Sequence, residues 1–330
     1  MIEIEFIPIG EETNTGDAIL CHFTEPSTTT DRVVLIDGGF ADSSGPIIAH
    51  IDAYYPTSVI DLMVCTHPDN DHINGLFGVL EKMTVRTLLI HRPRDFGFSS
   101  DAVAADKVDD LIRTARSHGV KVVTDAFAGT TIFGDVIHVA GPSRELYVSL
   151  LSEQEAKAGG GHGSFNSGSL REVPADPGGP VLTDNGGTTA RNNSSIVLDI
   201  QVDGRRALMT GDAGVPALTA AADHLDRVGR ATQLPDFFDV PHHGSRHNLT
   251  GALLDRLIGP RGGDENVRSA FVSVGKKADD FPRPEVANAL KRRGCRVSAT
   301  RGQTIRWFNG ATQRDGWHEL TPLPWFELPK

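Results

Sequence analysis

Residues 65–72 of this 330-residue chain, CTHPDNDH, form its densest group of side chains able to bind a metal. The apolar segment 61–65 indicates a strand, and helical spacing of apolar residues begins at about position 72. A turn after a strand end can direct alternate side chains to one place. Because helix capping would need only one acid, the group indicates a pair of divalent cations. The candidate ligands are His67, Asp69, Asp71 and His72.

Two segments in the second half repeat this arrangement. A predicted strand at 206–210 runs into TGD at 210–212, and another at 236–240 runs into PHHGS at 241–245. Each is weak evidence alone, because Gly and Asp are common in turns. Together with residues 65–72 they indicate one site built at several strand ends. The further candidates are Asp212, His242 and His243, with Asp37 after the strand 33–37 expected to orient a ligand.

Strands and helices alternate along the chain, with strands first and helices later in each half. We therefore predict an α/β fold of two similar βα halves, at about 1–150 and 194–330, around one core. Residues 157–193 are rich in Gly, Ser, Asn and Asp, and the run is too long for an ordinary connection. We interpret it as an insertion or lid, and we predict a single domain over 1–330.

Composition bounds the class of protein. A hydrophobic fraction of 39% and a charged fraction of 23% are typical of a globular chain and exclude disorder and collagen-like sequence. Three separated cysteines indicate neither a disulfide framework nor a thiolate zinc site. The N-terminal residues lack the pattern of a signal peptide, and no apolar run reaches the roughly 20 residues of a membrane span. These features predict a cytoplasmic protein without a membrane partner.

The net charge of −11 argues against general adhesion to polyanions. Its distribution is uneven, because residues 256–306 carry twelve Lys and Arg against five acids, a net +7. One interpretation is a basic face that guides a polyanion to the site. The alternative is that Lys291, Arg292 and Arg293 are the solvated end of a helix.

These segments resemble the metallo-β-lactamase fold, and within it the hydrolase domain of the ComEC/Rec2 competence proteins. The pattern His-x-Asp-x-Asp-His at 67–72 is typical of the ComEC-type branch. The other matching segments are GDAIL at 16–20, LIDGG at 35–39, NNSSIVL at 192–198, LMTGDAG at 208–214, PHHGS at 241–245 and SVG at 273–275. The resemblance implies a free-standing relative with an αβ/βα four-layer sandwich.

The resemblance also implies a distribution of ligands. His67 and Asp69 would hold one cation, Asp71 and His72 the other, and Asp212 would bridge them. Either His242 or His243 would complete the second site. Most family members give the first cation a further His, where this chain has Asn192 and Asn193; we expect Asn193 to support the site from behind, and His162 is an alternative ligand. A Tyr-Gly-His-Pro segment typical of ComEC is replaced by DFP at 280–282.

The expected activity is metal-dependent hydrolysis, because two close cations lower the pKa of a bridging water. Asp71 or Asp69 would accept its proton. We expect a phosphodiesterase or nuclease with two divalent cations, Zn or Mn before Mg, and a nucleic-acid or nucleotide substrate. One alternative is a small-molecule hydrolase acting on an ester, lactone, thioester or cyclic nucleotide. Another is a catalytically weakened metal-binding partner subunit.

Overall fold

The computed structural model describes residues 1–158, 182, 188–262 and 267–327. The described part contains two seven-stranded sheets that pack face to face. The first sheet holds, in spatial order, β16 (Ile305–Asn309), β1 (Ile2–Phe6), β2 (Ile19–Thr24), β3 (Asp31–Ile36), β5 (Leu62–Val64), β7 (Thr87–Leu89) and β8 (Lys121–Val123). The second holds β15 (Cys295–Ala299), β14 (Arg268–Val272), β13 (Phe237–Asp239), β12 (Arg205–Met209), β11 (Val197–Val202), β10 (Ile137–Gly141) and β9 (Thr131–Ile132). The short strands β4 (Val59–Ile60) and β6 (Thr84–Val85) pair separately.

The two sheets repeat one topology. In the first, β1, β2 and β3 are antiparallel, and β5, β7 and β8 continue parallel to β3. In the second, β10, β11 and β12 are antiparallel, and β13, β14 and β15 continue parallel to β12. The two similar halves expected from the sequence are thus confirmed at the level of strand order. Their expected bounds are not, since β9 and β10 come before residue 150 but lie in the second sheet, and β16 lies in the first.

Helices cover the outer face of each sheet. The larger ones are α1 (Ser44–Tyr54), α2 (Asn70–Lys82), α3 (Ala105–Ser117), α4 (Arg144–Ala158), α6 (Val215–Arg227), α7 (Gly251–Ile258) and α8 (Pro284–Lys291), with the short α5 (Ala190–Asn193) between α4 and α6. Helices α1 to α3 pack on the first sheet and α6 to α8 on the second. The result is the expected four-layer α/β sandwich.

Alternation along the strands produces these layers. In β3, Val34 and Ile36 face the space between the sheets, whereas Val33 and Leu35 face the helices. Strands buried on both faces read as continuous apolar runs, which is why 33–37 was recognisable in the sequence. Full burial of each such side chain stabilises the fold by about 1.5–3 kcal/mol.

The region around α4 differs in part from what the sequence predicts. Helix α4 was not predicted, although Tyr147, Leu150 and Leu151 have helical spacing and are buried. It ends at Ala158, close to the position of about 157 at which the insertion is expected to begin. The rest of the insertion, apart from residues 182 and 188–193, lies outside the described residues, as does His162. The single-domain organisation stays a prediction.

No described helix combines the length and hydropathy that a membrane crossing requires.

Candidate metal centre

The sequence-predicted ligands meet at one edge of the sandwich, beyond the carboxyl ends of neighbouring strands. Residues 65–72 follow β5, Asp212 follows β12, and His242 and His243 follow β13. The carboxyl ends of parallel strands lie at one edge of each sheet, and the packing of the two sheets brings both edges together. Segments about 140 residues apart in sequence therefore supply one site.

Asp69 shows that this loop is not built for helix capping. It occupies the N-cap position of α2, but its side chain makes no capping hydrogen bond. Its carboxylate instead lies 3.6 Å from His67 Nε2 and accepts a 2.9 Å hydrogen bond from Arg191. The capping interpretation of Asp69 therefore fails.

One oxygen of Asp212 faces a first donor set. Asp212 Oδ2 lies 3.8 Å from His67 Nε2 and 3.7 Å from His242 Nε2. Asp69 joins this set through its contact with His67. The first set thus consists of two imidazoles and two carboxylates.

The other oxygen of Asp212 faces a second donor set. Asp212 Oδ1 lies 3.5 Å from His72 Nε2, and Asp71 Oδ2 lies 3.9 Å from the same nitrogen. His243 Nε2 lies 3.7 Å from Asp71 Oδ2. This set also has two imidazoles and two carboxylates, and Asp212 joins the two sets.

The histidine doublet serves both sets because of its backbone. His242 and His243 have φ angles of 50° and 57°, in the left-handed region that non-glycine residues seldom adopt. Gly244 follows with φ 79°, and a Cβ there would meet Pro282 at 2.4 Å. The side chains of these consecutive residues therefore point to different donor sets. The sequence predicts that one of the two histidines completes the second set. It does not predict that His242 adds an imidazole to the first set.

The donor atoms fit a cation because they lack other partners. Five buried side-chain atoms in this cluster have no hydrogen-bond partner among the described residues. Four of them belong to the donor sets, namely His67 Nε2, His72 Nε2, Asp212 Oδ1 and His243 Nε2, and the fifth, His243 Nδ1, faces Asp17. A buried polar atom left without a partner costs about 1–3 kcal/mol. Mixed nitrogen and oxygen donors suit Zn²⁺ or Mn²⁺. Bound cations would satisfy all four atoms together.

Asp37 holds this arrangement from behind. Its Oδ2 lies 2.8 Å from His72 Nδ1, which leaves Nε2 free to face Asp212. It also accepts hydrogen bonds from the Thr66 amide, at 2.8 Å, and the Thr66 hydroxyl, at 2.6 Å. A carboxylate behind a ligand histidine fixes the ring and its tautomer, which is the role the sequence predicted.

The second half carries corresponding supports. Asp239 accepts hydrogen bonds from the amides of Thr210, at 2.8 Å, and Gly211, at 3.1 Å, and so fixes the turn that carries Asp212. Asn193 Oδ1 accepts a 3.1 Å bond from the Gly214 amide beyond it. Both contacts hold the Asp212 turn in place.

Asn192 lies inside the site, in the stretch 192–193 where the resemblance would imply a further histidine. Its amide nitrogen is 3.3 Å from Asp212 Oδ2 and 3.3 Å from His242 Nδ1. Asn248 Oδ1 lies 3.2 Å from the same His242 nitrogen. Asn192 therefore contacts two members of the first set.

Asp17 is a site residue that the sequence analysis missed. It is buried, and its carboxylate lies 3.7 Å from His243 Nδ1 and 3.9 Å from His72 Nδ1. Asp17, His72, Asp212 and His243 can bring one donor atom each within 4.8 Å of one another. The signal for it is the GDAIL segment at 16–20, which is part of the family resemblance although no role follows from it for Asp17.

The electrostatics are those of a site built for positive charge. Burial favours the neutral form of His243, but the carboxylates of Asp17 and Asp212 outweigh it and raise its pKa to about 9. Burial likewise opposes ionisation of Asp212, yet the surrounding histidines hold its pKa well below the usual range. Without cations, His243 holds a proton below about pH 9 while Asp212 stays ionised, so metal binding should release protons from the histidine and weaken as the pH falls.

A cavity of about 570 Å³ opens beside the first donor set. Asp69 and Asp71 have 29% of their side chains exposed, whereas Asp212 has 4%. A substrate in the cavity therefore meets Asp69 and Asp71 first. The lining residues are Asp69, Asn70, Asp71, Asp101, Ala104, Asp106, Lys107 and Arg191.

The fold has the αββα layering of the metallo-β-lactamases. Solved structures similar to it include Zn²⁺-bound PqqB from Methylobacterium extorquens, at 13% identity and a TM-score of 0.49, covering 93% of this chain and 100% of that one. A diphosphatase of the PhnP family matches at 11% identity and a TM-score of 0.45, covering 93% and 98%. The Rm3 metallo-β-lactamase matches at 14% and 0.38, covering 77% and 84%.

Sequence comparison gives one curated relative at a low identity. The chain is 24% identical over 242 residues to ComE operon protein 3 of Bacillus subtilis (strain 168), a match that covers 73% of this chain. The chain spans about a quarter of the length of that relative, since the match covers 23% of it. No family model matches the chain.

The basic run at 256–306 does not form the predicted face throughout. Arg293 is 1% exposed and bonds to Asp255, and Arg306 is buried against Glu3. Burial of Arg293 also contradicts the alternative that it is a solvated helix end. These two charges support the fold and are closed to a polyanion.

Proposed function

We propose that this chain is a metal-dependent hydrolase that cleaves phosphodiesters with two divalent cations, Zn²⁺ or Mn²⁺ before Mg²⁺. The observation that carries the proposal is the pair of donor sets joined by Asp212, with buried atoms that lack other partners. When bound, cations in these sets would activate a water near neutral pH and offset charge on the attacked phosphoryl group.

The chain's own residues divide the remaining work. Asp212 holds the two donor sets at a fixed separation, and Asp37 and Asp17 orient the rings of His72 and His243. Asp69 and Asp71 are the carboxylates within reach of the cavity. We assign to one of them the acceptance of the water's proton.

Phosphodiesters are preferred among substrates for a chemical reason. Paired cations suit in-line displacement at phosphorus, since both the attacking and the leaving oxygen need charge stabilisation. The weak similarity to ComE operon protein 3 supports the ComEC-like resemblance, and a nucleic-acid or nucleotide substrate is what that resemblance implies. Two basic side chains, Lys107 and Arg191, also line the cavity beside the site.

The cavity volume favours a second candidate. About 570 Å³ is within the range of small-molecule sites, so a small-molecule hydrolase acting on a lactone, ester, thioester or cyclic nucleotide remains the alternative. A third candidate is a metal-binding partner subunit without turnover, as the Asn at 192 suggests.

The test is an assay of the metal-reconstituted protein against bis(p-nitrophenyl) phosphate, single-stranded DNA, RNA and a lactone panel. The proposal expects turnover of the phosphodiesters. Turnover of the lactones alone would replace it with the second candidate. Metal retention without any turnover would favour the third.

A further inference from the structure

Lys107 and Arg191 lie side by side on the wall of the cavity, although they come from different elements. Lys107 is in the first turn of α3, and Arg191 is in α5. Both line the cavity together with Asp69 and Asp71. The cavity thus joins two cationic groups to the donor sets of the metal centre.

Lys107 carries a positive charge that is not neutralised by a contacting carboxylate among the described residues. It is partly buried, and its ammonium group donates to the neutral amide oxygen of Asn70. Among the described residues it forms no ion pair with a carboxylate. Hydrogen bonds from an ammonium to a carboxylate are stronger than those to a neutral amide. A lysine that served only to hold this loop would therefore be expected to pair with an acid.

Arg191 is fixed in place by two hydrogen bonds. It donates to Asp69 Oδ1 at 2.9 Å and to the Ala102 carbonyl at 2.6 Å. Guanidinium groups held in this way are suited to recognising phosphate oxygens. If Asp69 binds a cation, its carboxylate neutralises Arg191 less. The guanidinium group can then attract an anionic group of the substrate.

The acids in the cavity wall do not cancel this charge. Asp106 is paired with Arg94. Asp101 is exposed at the rim, where water and salt screen it. Asp69 and Asp71 belong to the donor sets, whose cations would reverse the local sign.

We propose that Lys107 and Arg191 bind a second anionic group of the substrate, next to the phosphodiester that is cleaved. This inference rests on the proposed function and narrows its substrate class to phosphodiesters with a neighbouring phosphate, as in an oligonucleotide. Neither residue takes part in bond cleavage; the pair selects and positions the substrate.

Two substrates that differ by one phosphate test the inference. They are thymidine 5′-(p-nitrophenyl phosphate) and the same compound with a 3′-phosphate, which share the scissile bond and the leaving group. With metal-loaded wild type, the added phosphate should raise kcat/KM by about tenfold, the effect of about 1.4 kcal/mol of binding. The advantage should shrink at high salt.

Lys107→Gln is the decisive variant, because Lys107 contacts no proposed metal ligand. It should remove most of the roughly tenfold preference, because KM should rise more for the 3′-phosphorylated substrate than for the other. Arg113→Gln is the matched control, since Arg113 lies on the same helix, is exposed and pairs with Asp110. It should retain the preference. Arg191→Lys should lose part of it, with metal content unchanged.

The outcomes separate the two proposals. If wild type hydrolyses neither substrate, the proposed function fails. If wild type hydrolyses both at the same kcat/KM, or if Lys107→Gln retains the preference, the anion-binding role is wrong while phosphodiester hydrolysis stands.

Discussion

Two buried groups of acids and histidines lie on different parts of this molecule and are built in opposite ways. One is the metal centre around Asp212. The other lies on the outer face of the first sheet, where Glu3 and Glu5 of β1 are neutralised by Arg306 and Arg314. His22 and His50 complete this second group, which we call the β1 network.

The difference is in the partners of the carboxylates. In the β1 network each glutamate has an arginine partner, and Arg314 also stacks on Tyr54, Tyr55 and Trp317. In the metal centre, the ion pairs among the described residues give Asp17, Asp37 and Asp212 only histidine partners. Buried acids alone therefore do not mark a metal site, and what distinguishes the candidate metal centre is that its buried acids meet histidines and neither arginine nor lysine.

The largest expected effect is at the metal centre. Asp212→Asn removes the carboxylate that both donor sets share, so hydrolysis of bis(p-nitrophenyl) phosphate should fall at least about 10³-fold, which corresponds to about 4 kcal/mol. Circular dichroism should show an intact fold, because the amide keeps the shape of the side chain. A variant with the wild-type rate would overturn the site assignment.

The next largest expected effect is a loss of folding stability in the β1 network that leaves metal binding unchanged. Arg306→Met leaves Glu3 without its main partner, and breaking a buried pair costs about 3–5 kcal/mol. Urea unfolding should show this loss, whereas metal content should not change. Loss of bound metal in this variant would mean that the two groups are not independent.

A buried histidine outside both groups gives a pH test. His91 donates to the Ala126 carbonyl, stacks on Phe127 and has a Nδ1 atom without a partner. Burial lowers its pKa to about 4, against about 6.5 when unfolded. The unfolded chain therefore takes up a proton first as the pH falls. The stability that neutral, buried His91 contributes is therefore complete above about pH 6.5 and is lost as the pH falls towards 4.

His91→Phe removes this proton uptake and keeps the ring stacking. Between about pH 7 and about pH 4.5, metal-free wild type should lose about 2 kcal/mol more unfolding free energy than the variant. Urea unfolding at both pH values measures the difference. Equal losses would show that His91 is charged in the folded protein.

The smallest effect is expected at an exposed ion pair, which serves as a reference for the buried pairs of the β1 network. Lys277 pairs with Glu12 at 2.8 Å, but the two side chains are 61% and 67% exposed. Lys277→Met should therefore cost less than about 1 kcal/mol. A loss as large as that of Arg306→Met would mean that burial does not explain the strength of the β1 network.

The sequence predicts one of these groups far better than the other. Residues 65–72 are contiguous and follow an apolar strand, so both their chemistry and their place in the fold are visible. In the β1 network, Arg306 lies 303 residues from Glu3, and the sequence shows only an alternating strand. Pairing over such a distance depends on the sheet order, which places β16 beside β1.

Within the metal centre the same limit applies. The separate placement of His242 and His243 depends on backbone angles that the doublet itself does not reveal. Asp17 reaches the site only because the segment before β2 crosses α2, where its amide bonds to the Asp71 carbonyl. The strand-end acids were predictable because turn and strand patterns are local.

We infer that the buried acids around Asp212, which are paired only with histidines, require cations. Elemental analysis of untagged protein, reconstituted with Zn²⁺ or Mn²⁺ at about pH 8 and freed of excess metal, tests this inference. We expect about two metal equivalents per chain, one for each donor set. A chain that retains almost no metal while remaining folded would contradict it.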